Sequence, residues 1–197
     1  MKSLKGTQTR ENLMRAFAGE SQAYTRYTYY ADVARKEGYM QIEAVFLETA
    51  KNELEHGKRF YNFLLDGLKD ELPATVEIHA SYPVAQGTTL ENLKAAADGE
   101  HEEWAELYSS FGEIAARERF PEVAAVFKFV SSVEKRHEER YLQLAENIEK
   151  DRVFKKDEKT YWKCRNCGYI HEGNNAPEIC PSCGYPKGYF EVFAEKY

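Results

Sequence analysis

The chain has 197 residues, of which 43% are hydrophobic and 30% charged, and a formal net charge of −6. That length suits one sizeable core plus a small satellite domain, and no apolar run is long enough to span a bilayer. The acidic balance lacks the basic patch that nucleic acid would need, and residues 1–14 lack the apolar core of a signal peptide, so a cytoplasmic protein is expected.

Helical periodicity runs over four segments, 8–36, 40–68, 88–117 and 121–149. Gly38 and Pro121 mark two short connections, so each pair of segments is expected to form an antiparallel hairpin. Residues 70–89, with Pro73, Pro83 and Gly87, read as one long crossover, the ferritin-like way of joining two hairpins into a bundle. The bundle is expected over 1–150 and a charged linker over 151–160. A small metal-stapled domain rich in Cys, Gly, Pro and aromatics is expected over 161–197.

The two hairpins repeat each other. Glu11-Asn12-Leu13 recurs as Glu91-Asn92-Leu93, Gly19-Glu20 as Gly99-Glu100, and Ala44-Val45-Phe46 as Ala125-Val126-Phe127. Glu53-x-x-His56 recurs as Glu134-x-x-His137, the offset being 80 residues at the start and 81 from the middle onward. An internal repeat implies a pseudo-two-fold axis near which equivalent residues meet.

The apolar stripes show where the charged residues point. The second helix carries Ile42, Phe46, Thr49, Glu53, His56, Phe60 and Phe63 at alternating spacings of four and three; Val123, Phe127, Val130, Glu134, His137, Tyr141 and Leu144 repeat it. Leu13, Phe17, Glu20, Tyr24 and Tyr27 on the first helix, and Leu93, Ala97, Glu100 and Trp104 on the third, do likewise. A single Glu-x-x-His on a helix is usually a solvated face, and core glutamates can pair with Arg or Lys. The middle of these stripes holds no Arg or Lys, however, and buried carboxylates without partners cost several kcal/mol or take up protons. Two copies of Glu-x-x-His, each with a stripe glutamate one helix earlier, match the di-metal carboxylate pattern of bundles. Glu20, Glu53, Glu100, Glu103 and Glu134 bring five negative charges, which two divalent ions nearly balance and one does not. Oxygen-rich ligation with one imidazole per metal suits iron or manganese better than zinc.

The repeat has one flaw. Tyr27 matches Tyr108 at offset 81 while Glu20 matches Glu100 at offset 80, so an extra residue enters the third helix beside Glu103. A single-turn π-bulge is expected there, bringing Glu103 into the core as a carboxylate that the first hairpin lacks.

All four cysteines lie in the last 34 residues, as Cys164-x-x-Cys167 and Cys180-x-x-Cys183, each running into Gly-Tyr. Two such knuckles complete a tetrahedron that iron and zinc both accept. Spacing alone favours zinc somewhat, and a disulfide pair is a distant third reading. The flanks Cys-Arg-Asn-Cys-Gly-Tyr and Cys-Pro-Ser-Cys-Gly-Tyr, with Tyr161, Trp162, Tyr169 and Phe190 nearby, resemble rubredoxin and shift the balance to iron.

Together these motifs resemble rubrerythrin over nearly the whole chain: Ala-Gly-Glu-Ser-Gln-Ala at 18–23, Glu53-x-x-His56, Gly-Glu-His-x-Glu at 99–103, Glu134-x-x-His137, and Cys-Arg-Asn-Cys-Gly-Tyr-x-His-Glu-Gly at 164–173. The resemblance implies an all-α ferritin-like four-helix bundle with one long crossover and a C-terminal rubredoxin-like domain. It implies a non-haem di-iron peroxidase that reduces hydrogen peroxide to water in oxidative stress defence. The site would be oxo-bridged when oxidised, and one iron would sit on Cys164, Cys167, Cys180 and Cys183. Di-iron ligands carry over onto Glu20, Glu53, Glu100, Glu103, Glu134 and His137, with His56 as the second imidazole and Glu53 and Glu134 as bridges. One iron would exchange Glu103 for His56 on reduction, and Tyr27 and Tyr108 would hydrogen-bond the ligand carboxylates. No glycine-rich dinucleotide fingerprint is present, so an external donor is expected, rubredoxin or an NADH-dependent reductase.

From Glu134 to Lys150 a helix climbs about 24 Å, which places the cysteine domain far from its own di-iron site. A head-to-tail or domain-swapped homodimer is therefore expected. The competing readings are a ferroxidase or iron-handling protein with a zinc-ribbon tail, and a binding or sensing protein. His79, His101 and His171 read as non-ligands.

Overall fold

The computed structural model describes residues 1–194. Four antiparallel rods form the bundle: α1 (Gln8–Lys36), α2 (Met40–Gly67), a third rod of α3 (Thr89–Glu102), a π turn (Glu103–Leu107) and α4 (Tyr108–Arg117), and α5 (Pro121–Glu149). The first rod of each hairpin starts where the sequence supplies a cap. Thr7 accepts a hydrogen bond from Arg10 N, and Thr88 forms a reciprocal capping box with Glu91.

The repeat is visible in the turns. Gly38 takes φ 85° after α1, and Arg119 takes φ 65° at the matching place after α4. Each helix closes by the same long bond, Tyr39 N to Ala34 O and Phe120 N to Ala115 O, both 2.8 Å. An L side chain in this left-handed conformation costs about 1 kcal/mol, so Arg119→Gly is expected to stabilise the bundle by about 0.5–1 kcal/mol in denaturant titrations. The glutamate at each turn also caps the other hairpin. Glu118 accepts from Thr9 N at 2.8 Å and Gln8 N at 3.0 Å, and Glu37 accepts from Thr89 N at 3.0 Å. These two clasps hold the hairpins in register at opposite ends.

Two aromatic-rich core layers flank the middle of the bundle. One contains Leu13, Phe60, Phe63, Tyr108, Phe111 and Phe127; the other contains Tyr27, Tyr30, Ile42, Phe46, Leu93 and Tyr141. Ring pairs such as Phe60 with Phe127 (4.9 Å) and Tyr27 with Tyr141 (5.6 Å) stiffen them. The crossover, 68–88, lies along α1, where Tyr82 donates to Arg15 O at 3.0 Å and Tyr30 donates to Ala85 O at 2.8 Å.

The C-terminal unit is a three-stranded antiparallel sheet in the order β2-β1-β3, with β1 at Lys155–Cys164, β2 at Ile170–Asn175 and β3 at Phe190–Val192. Its core is Trp162, Cys164, Ala176, Cys180 and Phe190, and Trp162 donates to Gly173 O at 2.9 Å. β1 begins inside the segment expected to be a linker. Residues 155–160 are polar on both faces, so they carry no alternation, and only the pairing with β2 makes them a strand. The sheet rests on the end of the bundle where α1 turns into α2: Tyr39 stacks on Phe154 at 6.0 Å, and a Cβ at Gly188 would collide with the Gly38 carbonyl.

Candidate metal centres

Glu20 from α1, Glu53 from α2, Glu100 from α3 and Glu134 from α5 meet between the two aromatic layers, each at most 1% exposed. One helical turn past Glu53 and Glu134 stand His56 and His137, both with Nδ1 toward the carboxylates. Nδ1 of His56 lies 2.8 Å from Glu134, 3.0 Å from Glu53 and 3.9 Å from Glu20. Nδ1 of His137 lies 2.8 Å from Glu134, 3.2 Å from Glu53 and 3.7 Å from Glu100.

The donor atoms fall into two groups: Glu20, Glu53, His56 and Glu134, and Glu53, Glu100, Glu134 and His137. Glu53 and Glu134 belong to both, the arrangement a pair of bridged ions needs. Many of these atoms have no aligned hydrogen bond despite their closeness, among them both oxygens of Glu134, Oε1 of Glu53, Oε2 of Glu20 and Glu100, and Nδ1 of His137. Buried carboxylates and imidazoles packed this closely must hold either protons or cations between them, and six donors in two overlapping groups fit two divalent metals.

Tyr27 and Tyr108 orient the outer carboxylates crosswise. Tyr27 donates to Glu100 at 2.6 Å and Tyr108 donates to Glu20 at 2.6 Å, each reaching into the opposite hairpin. Burial pushes both phenols well above their ordinary range, which keeps them as neutral donors.

The expected π-bulge is present. Tyr108 N reaches back five residues to Glu103 O, and Ser131 Oγ donates to the Trp104 carbonyl at 3.1 Å inside the widened turn. Trp104 turns its indole N–H to Glu138 at 2.6 Å, and Glu138 also meets His101 at 2.9 Å, so His101 lies away from the donor groups. Trp104 is therefore half-buried rather than a core residue, because the extra residue rotates the helix face. Tyr24 also departs from the expected stripe, with 37% exposure; Ala23 takes the core position as the helix face drifts past Glu20.

Glu103 belongs to neither donor group. It lines an adjoining cavity of about 600 Å³ with Arg15, Gln22, Arg26, Tyr82 and crossover residues, and its Oε1 lies against Gly19. Burial, then Glu100, Glu134 and Glu53, push its carboxyl well above the usual range, against the pull of Arg26. Arg26 is itself buried, paired with Gln22 and facing Tyr27. The stripe reading missed it because it sits one position before the periodic Tyr27.

Without metal the cluster is strongly pH-dependent. Burial pulls the imidazoles down, but Glu134 and Glu53 outweigh it and push His56 up to about 10. Glu100, Glu134 and Glu53 push His137 up to about 12 in the same way. Glu20, Glu100 and Glu103 are also raised, with burial the leading cause. All these groups hold more protons folded than unfolded, so metal-free stability is expected to fall as pH rises from about 5 to 9. Metal binding must displace those protons, so it tightens over the same range. Melting curves at pH 6 and 8, with and without iron, check this: the gap is expected to widen at pH 8.

In the C-terminal unit the four cysteines are free thiols that form a third donor group. Sγ of Cys164 lies 3.8 Å from Cys183, and Sγ of Cys167 lies 3.7 Å from Cys180. An ion about 2.3 Å from four sulfurs sets their separation at about 3.8 Å. The knuckles are copies: Gly168 N bonds Cys164 O and Gly184 N bonds Cys180 O, with both glycines at positive φ. Burial pushes the Cys164 thiol up to about 12, while the Asn166 side chain and Tyr185 N–H bring Cys183 down to about 6.

A bundle with a bridged carboxylate pair defines a ferritin-like di-metal protein, and the cysteine knuckles add a rubredoxin-like unit. The family model "Rubrerythrin" matches residues 11–145, and "Rubrerythrin, rubredoxin-like domain" matches residues 162–191. Rubrerythrin of Clostridium perfringens is 59% identical over the full length of both chains. A structure of nigerythrin in a partially reduced state superposes with a TM-score of 0.63 at 32% identity, covering 98% of this chain and 92% of its own. A bacterioferritin of Desulfovibrio desulfuricans shares the bundle fold, with a TM-score of 0.65 at 20% identity over 74% of this chain and 82% of its own. The chain belongs to the rubrerythrin family, with the carboxylate and histidine groups of a di-iron site and a four-cysteine cluster in its rubredoxin-like domain. Among the described residues no helix is long and apolar enough to cross a membrane.

Proposed function

We propose that the protein is a peroxidase that reduces hydrogen peroxide to water at the bundle site. The observation that carries this reading is Glu103, a seventh donor brought by the π turn to the edge of a cavity, beside six donors that already form two complete groups. A symmetric iron-oxidising bundle has no need of it. Glu20, Glu53, His56 and Glu134 would hold one iron, and Glu53, Glu100, Glu134 and His137 the other. Bound iron would supply two electrons and polarise the oxygen–oxygen bond.

The chain's own residues do the rest. Glu103 and His56 would alternate as donors to the first position, and the cavity under the crossover gives a small polar substrate its approach. Tyr27 and Tyr108 keep the outer carboxylates aimed while these exchanges occur. The aromatic layers exclude bulk water from above and below.

Cys164, Cys167, Cys180 and Cys183 would hold the iron that passes on electrons from an external donor, rubredoxin or an NADH-dependent reductase. The sheet sits at the Gly38 end, about 22 Å along α2 from Glu53, which supports a head-to-tail homodimer in which each cysteine unit serves its neighbour. The protein would work in the reducing cytoplasm, where thiolate ligands stay reduced.

Stopped-flow mixing of the anaerobically reduced, iron-loaded protein with hydrogen peroxide or dioxygen tests the activity. Reoxidation is expected to be at least about tenfold faster with peroxide. Faster reaction with dioxygen would move the assignment to ferroxidase.

A further inference from the structure

The repeat makes His56 and His137 equivalent, but their surroundings are not. With Nδ1 turned to the carboxylates, each ring presents Nε2 outward. Nε2 of His137 meets Asn52 Oδ1 at 3.3 Å, across the bundle from α5 to α2. At the offset of 81 residues, the position equivalent to Asn52 is Val133, which has no side-chain acceptor. Among the described residues no hydrogen-bond partner is found for Nε2 of His56. The His56 side chain is 15% exposed and that of His137 is 5%.

We propose that Asn52 is a positioning residue that anchors His137 as the permanent imidazole, while Val133 leaves His56 free to turn in and out of the site. An imidazole that presents Nδ1 to a metal carries its proton on Nε2, and an acceptor there fixes both tautomer and ring orientation. Asn52 supplies that acceptor to His137 alone. The repeat has thus lost its symmetry at the position behind each ring, as it has at Glu103 in front. The anchor stands on this geometry alone; its consequence for turnover rests on the Glu103–His56 alternation above.

Proton NMR of the dithionite-reduced, iron-loaded protein in water and D2O reads the anchor directly. Two paramagnetically shifted imidazole N–H signals are expected, one exchanging slowly (His137) and one fast (His56). In Asn52→Val the slow signal is expected to exchange about tenfold faster, and Asn52→Asp is expected to keep it slow. Val133→Asn is expected to slow the fast signal by a similar factor. Unchanged exchange in Asn52→Val, or equal rates for both signals in the native protein, overturns the proposal. These spectra need no peroxide, so they stand apart from the activity. If Val133→Asn slows N–H exchange yet leaves peroxide reoxidation untouched, the anchor holds and the ligand-alternation reading falls.

Discussion

Replacing Glu134 with glutamine is expected to strip both irons from the bundle while the cysteine iron remains. Glu134 belongs to both bundle donor groups, is fully buried, and has neither oxygen in an aligned hydrogen bond. Glutamine keeps the volume and one carbonyl oxygen but removes the charge, so the two positions lose their shared anion together. Iron per chain is expected to fall from three toward one, counting one for each bundle donor group and one for the cysteine group. Peroxide reduction is expected to drop by about a hundredfold or more. Glu138→Gln is the control. It lies four residues on and, among the described residues, bonds only Trp104 and His101 on the outside, so it is expected to keep both bundle irons and cost about 1 kcal/mol. Iron analysis with the visible spectrum of each variant decides the matter. A Glu134→Gln protein with full iron content would remove the bridge assignment.

Cys167→Ser tests the other half of the chain. Cys167 is the exposed member of the thiol group, so serine there spares the small core of Trp162 and Phe190 while removing one soft anionic donor. The red absorption of a ferric four-thiolate site is expected to vanish, and turnover driven by a reductase to fall at least about tenfold. A single peroxide reoxidation of chemically reduced protein is expected to be unchanged, because the bundle donors are intact. Reassembling this variant with Glu134→Gln then addresses the dimer. Each protein alone turns over slowly, but in a head-to-tail mixed dimer the intact cysteine unit of one chain would face the intact bundle of the other. Restored turnover is the expected result; absence of any restoration in confirmed mixed dimers would place both sites of a working pair on one chain.

Much of the candidate site was legible because two periodicities coincide in it. Ile42 to Phe63 and Val123 to Leu144 follow the helical stripe, and the glutamates and histidines interrupt those stripes at matching positions. The one-residue slip between Glu100 and Tyr108 marks the π turn in the sequence, since an insertion in an unbroken helix has few other ways to be absorbed. Tyr24 and Trp104 lie off the core despite their stripe positions. A stripe read at fixed spacing ignores the slow rotation of a straight helix and the jump that a π turn adds.

Other features carried no signal in one dimension. Asn52 is an ordinary polar residue beside Glu53 until α5 brings His137 against it. Arg26 and Tyr82 come from segments far apart in the chain and line one cavity only because the crossover lies along α1. The strand at 155–160 has no alternation to read, because both its faces are solvated.

By itself the sequence determined the two-part architecture, the paired Glu-x-x-His motifs, the extra residue beside Glu103 and the four-cysteine site. Each of these is a matter of spacing along one element, and helix geometry converts such spacing directly into position. Only the tertiary structure decided how close the donors come and which stands aside: Glu53 and Glu134 within reach of both imidazoles, Glu103 set toward the cavity, and Asn52 against Nε2 of His137. Those distinctions depend on contacts between helices, where approaches of a few ångströms separate a ligand from its neighbour.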